Sequence, residues 1–262
     1  MTKLIKIEYR DIPNETKKNF KNEKHFECYQ VINDGINIWY FIAYDNDFHL
    51  NNKYIYPETH TFKSIDNKEA FDSISAYFNK PLQVMIDSNE KEIIEVLNRV
   101  GFVLKRQSFE REFKFEDIKK LDENTSTELN SFSKGDKRFD EACLIALDQY
   151  INNHKEVSPL TATLEEFKTI LPDQVVCQIV DDRITNLSFI EENELCYLSS
   201  VDMKSFESFS NSIIKHMFKS NDSIFIEVDS TDYVALKFKS FFNDNSNDSF
   251  DTYIFNRSTL TE

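Results

Sequence analysis

The stretch ELCYLSSVDMKSFESFSNSIIKHM, Glu194 to Met217, joins two kinds of structure. ELCYLSSVD reads as a strand, and Ile213, Ile214 and Met217 then fall on one face of a helix. A strand-to-helix turn is where a phosphate-binding loop sits in an α/β protein. The helix start there offers unpaired N–H groups and the positive end of a dipole. Such loops carry glycines, and this one has none.

Glycine is scarce throughout, with only Gly35, Gly101 and Gly135 in 262 residues. That count excludes a P-loop or a Rossmann fingerprint. Hydrophobic residues make up 40% of the chain and aromatics 14%, a composition that builds a core. The formal net charge of −15 argues against nucleic acid as a partner, because such binding runs on clustered Lys and Arg. Lysines in KSIDNK and FKFEDIKK are interleaved with acids and read as solvated faces.

Cys28, Cys143, Cys177 and Cys196 form no CxxC, and the histidines form no HxxxH or HExxH, so no metal site is expected. The N-terminal MTKLIKIEYRDI lacks a signal-peptide core, and no apolar run approaches the roughly 18 residues of a membrane span. The expectation is a reduced, cytoplasmic protein without a membrane partner.

Outward from the opening stretch, a repeat emerges. LQVMIDSNEKEIIEVLNRV (82–100) is a strand followed by a helix that Gly101 stops; IFIEVDSTDYVALKFKSFF (224–242) is another such pair. Laid together, Leu82, Val84, Ile86, Asp87 and Ser88 fall on Ile224, Ile226, Val228, Asp229 and Ser230. Ile93, Val96 and Val100 fall on Ala235, Phe238 and Phe242, and SFEREF (108–113) aligns with SFDTYIF (249–255) as a closing strand.

Ahead of the first pair, LIKIEYRDI, HFECYQVI and INIWYFIAY read as strands, the last two joined at Asn33-Asp34-Gly35. NKEAFDSISAYFN (67–79) reads as a helix. In the second half, residues 139–171 read as two helices. The second is capped by Ser158 before Pro159, or by Thr163 with Glu166 three residues on. DQVVCQIVDD, ITNLSFIEE and ELCYLSSVD follow as strands with short acidic turns. Polar residues 114–138 make the natural joint, dividing the chain into 1–113 and 114–262.

Strand, two helices, three antiparallel strands, helix, strand, helix, strand is an order that resembles the GCN5-related N-acetyltransferase (GNAT) superfamily over residues 107–256. Residues 1–113 resemble a second, shortened copy. The implied fold class is α+β: two GNAT-like domains, each with a mixed, mostly antiparallel sheet flanked by helices.

The resemblance implies an acyl-CoA-dependent N-acetyltransferase acting on a small-molecule or peptide amine, with acetyl-CoA as cofactor. Cofactor contacts carry over to Ser199, Ser200, Val201, Met203, Ser208, Ser210 and Asn211. With Val201 on the leading valine of the family's pyrophosphate loop, Glu207, Phe209 and Asn211 take its three glycine positions. A Cβ intrudes there, and Glu207 adds a negative charge. Glu194, at the start of the fourth strand, takes the place of the base. Lys239 stands where the family has its thiolate-protonating Tyr. Asp87 and Asp229, at strand ends before helices, read as structural caps.

The degraded loop opens a second reading, a GNAT-fold binding or interaction protein without the chemistry. Trp39, on an apolar strand, reads as core.

Overall fold

Every stretch read above as a strand contains one, and the strands gather into two units. The structure, a computed structural model, describes residues 2–20, 25–33, 36–58, 62, 68–119, 121–122 and 125–257. One unit is drawn from Met1–Gln107, Glu156–Thr161 and Phe250–Glu262; the other from Ser108–Lys155 and Ala162–Ser249.

The first unit contains Thr2–Ile7 (β1), Asn14–Asn19 (α1), Phe26–Asn33 (β2), Ile36–Tyr44 (β3), Lys53–Pro57 (β4), Lys68–Phe78 (α2), Leu82–Asp87 (β5) and Lys91–Val100 (α3). Its sheet runs β1-β2-β3-β4-β5 and is closed by the last strand of the chain, Phe250–Phe255 (β12). All these pairs are antiparallel except β4 with β5. Trp39 is fully buried among Phe41, Phe62 and Phe71, as a core residue. Helix α3 buries Ile93, Val96, Leu97 and Val100 and leaves Ile94 at the margin of the core. It ends at Gly101, whose φ of 99° favours a residue without a Cβ. The expected turn at Asp34-Gly35 lies outside the described residues.

The second unit contains Asn130–Ser133 (β7), Lys137–His154 (α4), Leu164–Lys168 (α5), Gln174–Val180 (β8), Arg183–Glu191 (β9), Glu194–Ser200 (β10), Phe206–Met217 (α6), Ser223–Asp229 (β11) and Tyr233–Lys239 (α7). Its sheet runs β11-β10-β9-β8-β7, with β10 and β11 parallel. Asp181 and Asp182 turn the β8–β9 hairpin with φ of 49° and 59°, the sign a tight type I′ turn demands. Thr163, not Ser158, caps the short α5. Its hydroxyl accepts from the Glu166 N–H at 3.3 Å, and the Glu166 carboxylate accepts from the Thr163 N–H at 2.7 Å.

Three features depart from the expected layout. Closing strands are exchanged: Val103–Lys114 (β6) follows the helix of the first unit, yet its residues 108–114 pair antiparallel with β11. Strand β12 follows the helix of the second unit and pairs with β5. The division expected at 113/114 is therefore not where the chain changes unit. Alternation alone suits either pairing, and packing selects: Phe113 stacks on Phe242 at 4.5 Å, while Phe255 packs on Phe71 and Phe102. Second, the polar joint contains β7, paired with β8. Third, KYIYP forms a strand, β4, that was not anticipated; its burial is nearly continuous and not alternating.

In the second unit, Arg111 of β6 is almost wholly buried. Its Nε donates to both carboxylate oxygens of Asp244 at 3.0 Å, and its other nitrogens donate to the carbonyls of Glu110, Ser246 and Asp248. Burial works to raise the Asp244 pKa, but bonds from Lys239 and Arg111 outweigh it and hold the carboxyl below its usual range. A depressed folded pKa contributes stability above the unfolded value, about 3.9, that is lost as pH falls through the folded one. Asp244→Asn is expected to cost about 3 kcal/mol by urea denaturation at neutral pH, because Arg111 stays buried without its counter-charge. The same variant should show a flatter loss of stability on acidification.

Candidate functional site

Parallel pairing between β10 and β11 lasts for Glu194↔Phe225 and Leu195↔Ile226 and then stops. On its other edge, β10 keeps its ladder with β9 but bulges between Cys196 and Ser199. Tyr197 sits in the bulge at φ 50°, a strained conformation for an aromatic residue. Its ring, packed among Tyr150, Phe167 and Phe189, holds it there. The outcome is a V-shaped opening whose vertex is at Glu194–Leu195 and whose arms are the later residues of β10 and β11.

The expected site residues are spread over β10, the turn that follows it, α6 and α7. Glu194 lies at the vertex. Ser199 and Ser200 end β10, about 16 Å further on at a strand's rise per residue. Ser208, Ser210 and Asn211 lie in the first turns of α6. Lys239 is the last residue of α7; its ammonium pairs with Asp244 and rests 4.6 Å above the Phe109 ring. The structure commits Lys239 to that ion pair.

At the start of α6 most of the polar side chains are engaged within the protein. Ser199 donates to the Tyr197 carbonyl, Ser208 to Ser205 and Ser210 to Phe206. Asn211, fully buried, donates to Thr125 Oγ at 2.6 Å and faces the Asp122 N–H at 3.4 Å. Thr127, from the same segment, accepts from Gln178, whose amide also reaches Ser208. Asn186 joins Gln178 to Ser205 with bonds of 2.6 and 2.8 Å. Val201 is exposed and spends its N–H on Thr185, and Met203 packs against the core. Ser200 differs: its hydroxyl is buried and finds no hydrogen-bond partner among the described residues.

Sequence reading missed a cluster at the far end of β11. His154, the last residue of α4, stacks on Tyr150 with centroids 3.9 Å apart. Its Nδ1 lies 2.9 Å from the Tyr150 carbonyl and its Nε2 3.9 Å from Asp229 Oδ2. The cap of α7 is Asp232, whose carboxylate accepts from the Val234 and Ala235 N–H groups, while Asp229 accepts from the Ser108 hydroxyl. Burial raises the Asp232 pKa against the helix N–H bonds that lower it. Asp87 likewise accepts from the Asn89 N–H in a turn ahead of α3. No spacing could reveal the His154 cluster, since its members come together only when α4 packs on β10 and β11.

Cys28, Cys143 and Cys177 are buried and Cys196 partly so. Burial pushes the Cys177 thiol up to about 12 and those of Cys28 and Cys143 to about 11, which leaves them protonated and unreactive. Among the described residues no group of three or more His, Cys, Asp or Glu could hold a metal, and no helix is long and apolar enough to cross a membrane.

No protein-family model and no curated protein sequence matches the chain. Solved structures match in fold. A GCN5-related N-acetyltransferase from Sphaerobacter thermophilus superposes with a TM-score of 0.53 at 8% identity, covering 87% of this chain and 80% of that one. A conserved protein of unknown function from Enterococcus faecalis V583, described as a probable N-acyltransferase, superposes at 0.50 and 10% identity, covering 97% and 72%. The chain therefore has the α+β fold of the GCN5-related N-acetyltransferases.

Asn211 tests whether the start of α6 is committed to the protein's own interior. Asn211→Ala is expected to lower stability by about 1–3 kcal/mol in a urea titration, as Thr125 and the Asp122 N–H lose their buried partner. A change under about 0.5 kcal/mol would show that the 122–127 segment is not held there.

Proposed function

We propose that the chain is an acyl-CoA-dependent N-acyltransferase that moves an acetyl group to a small-molecule or peptide amine. The observation that supports this reading is the opening between β10 and β11. Strands that part leave backbone N–H and C=O groups without ladder partners, and the amides of a pantetheine arm are suited to pair with them. The buried Ser200 hydroxyl, which has no partner among the described residues, adds a further donor on the same arm. The fit stops at the diphosphate. The start of α6 lacks glycine, carries Glu207 in its first turn and has its Ser and Asn side chains bonded internally.

In this reading the β10 backbone from Tyr197 to Ser200 orients the pantetheine arm, with the acyl end towards the vertex. Bound acyl-CoA supplies an activated thioester. The amine nitrogen bonds to the acyl carbon as the carbon–sulfur bond breaks. Glu194, at the vertex, accepts the proton that the amine gives up, and the sulfur leaves with the bond's electron pair as a thiolate that takes its proton from solvent. Lys239, held by Asp244, takes no part in the transfer.

A second reading is favoured by the internal bonding around α6: the chain keeps the scaffold as a binding protein and performs no transfer. Calorimetric titration with acetyl-CoA separates the two, followed by thiol release on adding a panel of amines. The transferase reading expects heat on titration. It also expects Glu194→Gln to cut the rate of thiol release by about 10²–10⁴ while leaving acetyl-CoA affinity in place. Neither heat nor thermal shift at millimolar acetyl-CoA would rule it out and leave the binding reading.

A further inference from the structure

The first unit contains its own opening, and its chemistry is different. Strands β4 and β5 run parallel through Lys53↔Leu82 and Tyr54↔Gln83 and then part. The space between them is a cavity of about 590 Å³, within the usual range for a small-molecule site. Aromatic side chains dominate its wall: Tyr54 and Tyr56 from β4, Tyr44 from the end of β3, Phe20, and Phe250 from β12. Four of the rings form a connected group. Tyr44 and Tyr54 have centroids 5.3 Å apart, and Phe20 lies 5.8 Å from both Tyr44 and Tyr56. Asp87 and Glu90, both exposed, place two carboxylates at the rim. Among the described lining residues there is no Lys, Arg or His.

That wall selects a ligand by charge. The faces of aromatic rings carry negative potential and attract a cation, more strongly where water is excluded. Rim carboxylates on a chain of net charge −15 add to the attraction and repel an anion such as a diphosphate. Met85, Val84, Ile86 and Ile93 supply apolar surface beside the rings. We infer that the cavity between β4 and β5 binds an organic cation, an ammonium carried on an apolar body. The inference concerns the first unit alone and does not depend on acyl transfer.

Phenyltrimethylammonium, its neutral isostere tert-butylbenzene and the anion benzenesulfonate test it by calorimetry on the full chain. The cation should bind at least about tenfold more tightly than either of the others, on the scale of a partly desolvated cation–π site. Tyr56→Leu should weaken it roughly three- to thirtyfold, and Tyr56→Phe, which keeps the ring, should restore it. Glu90→Gln, at an exposed position, should weaken it a few-fold without altering thermal stability. Equal binding of the neutral isostere overturns the inference, as does a preference for the anion or no binding of the cation at millimolar concentration. Unchanged cation affinity in both Tyr56→Leu and Glu90→Gln overturns it too. Acetyl-CoA titrated separately reports on the transferase reading, so either idea can fail while the other stands.

Discussion

A parallel strand pair that holds for two residues and then parts governs each unit of this protein. Parting leaves backbone N–H and C=O groups without ladder partners, and buried backbone groups are seldom left unpaired. Water or another partner must satisfy such groups, and each opening is where a ligand is proposed to bind. In the second unit the parting coincides with the bulge at Cys196–Ser199 and the left-handed Tyr197, whose ring packing holds a backbone shape that its own chemistry disfavours.

Side-chain chemistry then gives the two openings different characters. The second unit's opening ends at a helix start where Asn186, Gln178, Thr127 and Asn211 bond to one another or to neighbouring residues. A buried network of this kind, satisfied among the described residues except at the Asn186 side-chain oxygen, rigidifies the loop and leaves little for a phosphate to pair with. The first unit's opening is walled by aromatic rings, with carboxylates at its rim. One backbone device serves two environments, and charge and ring content set what each can accept.

Much of the fold was legible from periodicity. The repeat of strand and helix at 82–100 and 224–242, the glycine stop at Gly101 and the capping box at Thr163 are local signals, and local geometry follows from them. Less of the site was legible. Glu194 and Ser199–Val201 fall at the opening because a strand carries its residues in order. Lys239 was placed by alignment with a family tyrosine, and its pairing with Asp244 depends on the loop after α7, which no helical period describes. Tyr44 read simply as part of a strand, Tyr54 and Tyr56 fell in a stretch assigned to no element, and only packing brings the three together.

The sequence by itself determined the pairing of strand with helix, the absence of a glycine phosphate cradle and the net acidity of the chain. Each depends on composition or on contacts within a few residues. Only the tertiary structure decided that β6 closes on β11 and β12 on β5. Either strand satisfies the alternation, and the choice belongs to distant partners, Phe242 for one and Phe71 with Phe102 for the other. It alone brought His154 to Asp229 and gathered five aromatic rings around one cavity, since such neighbours are chosen by packing between elements far apart in the chain.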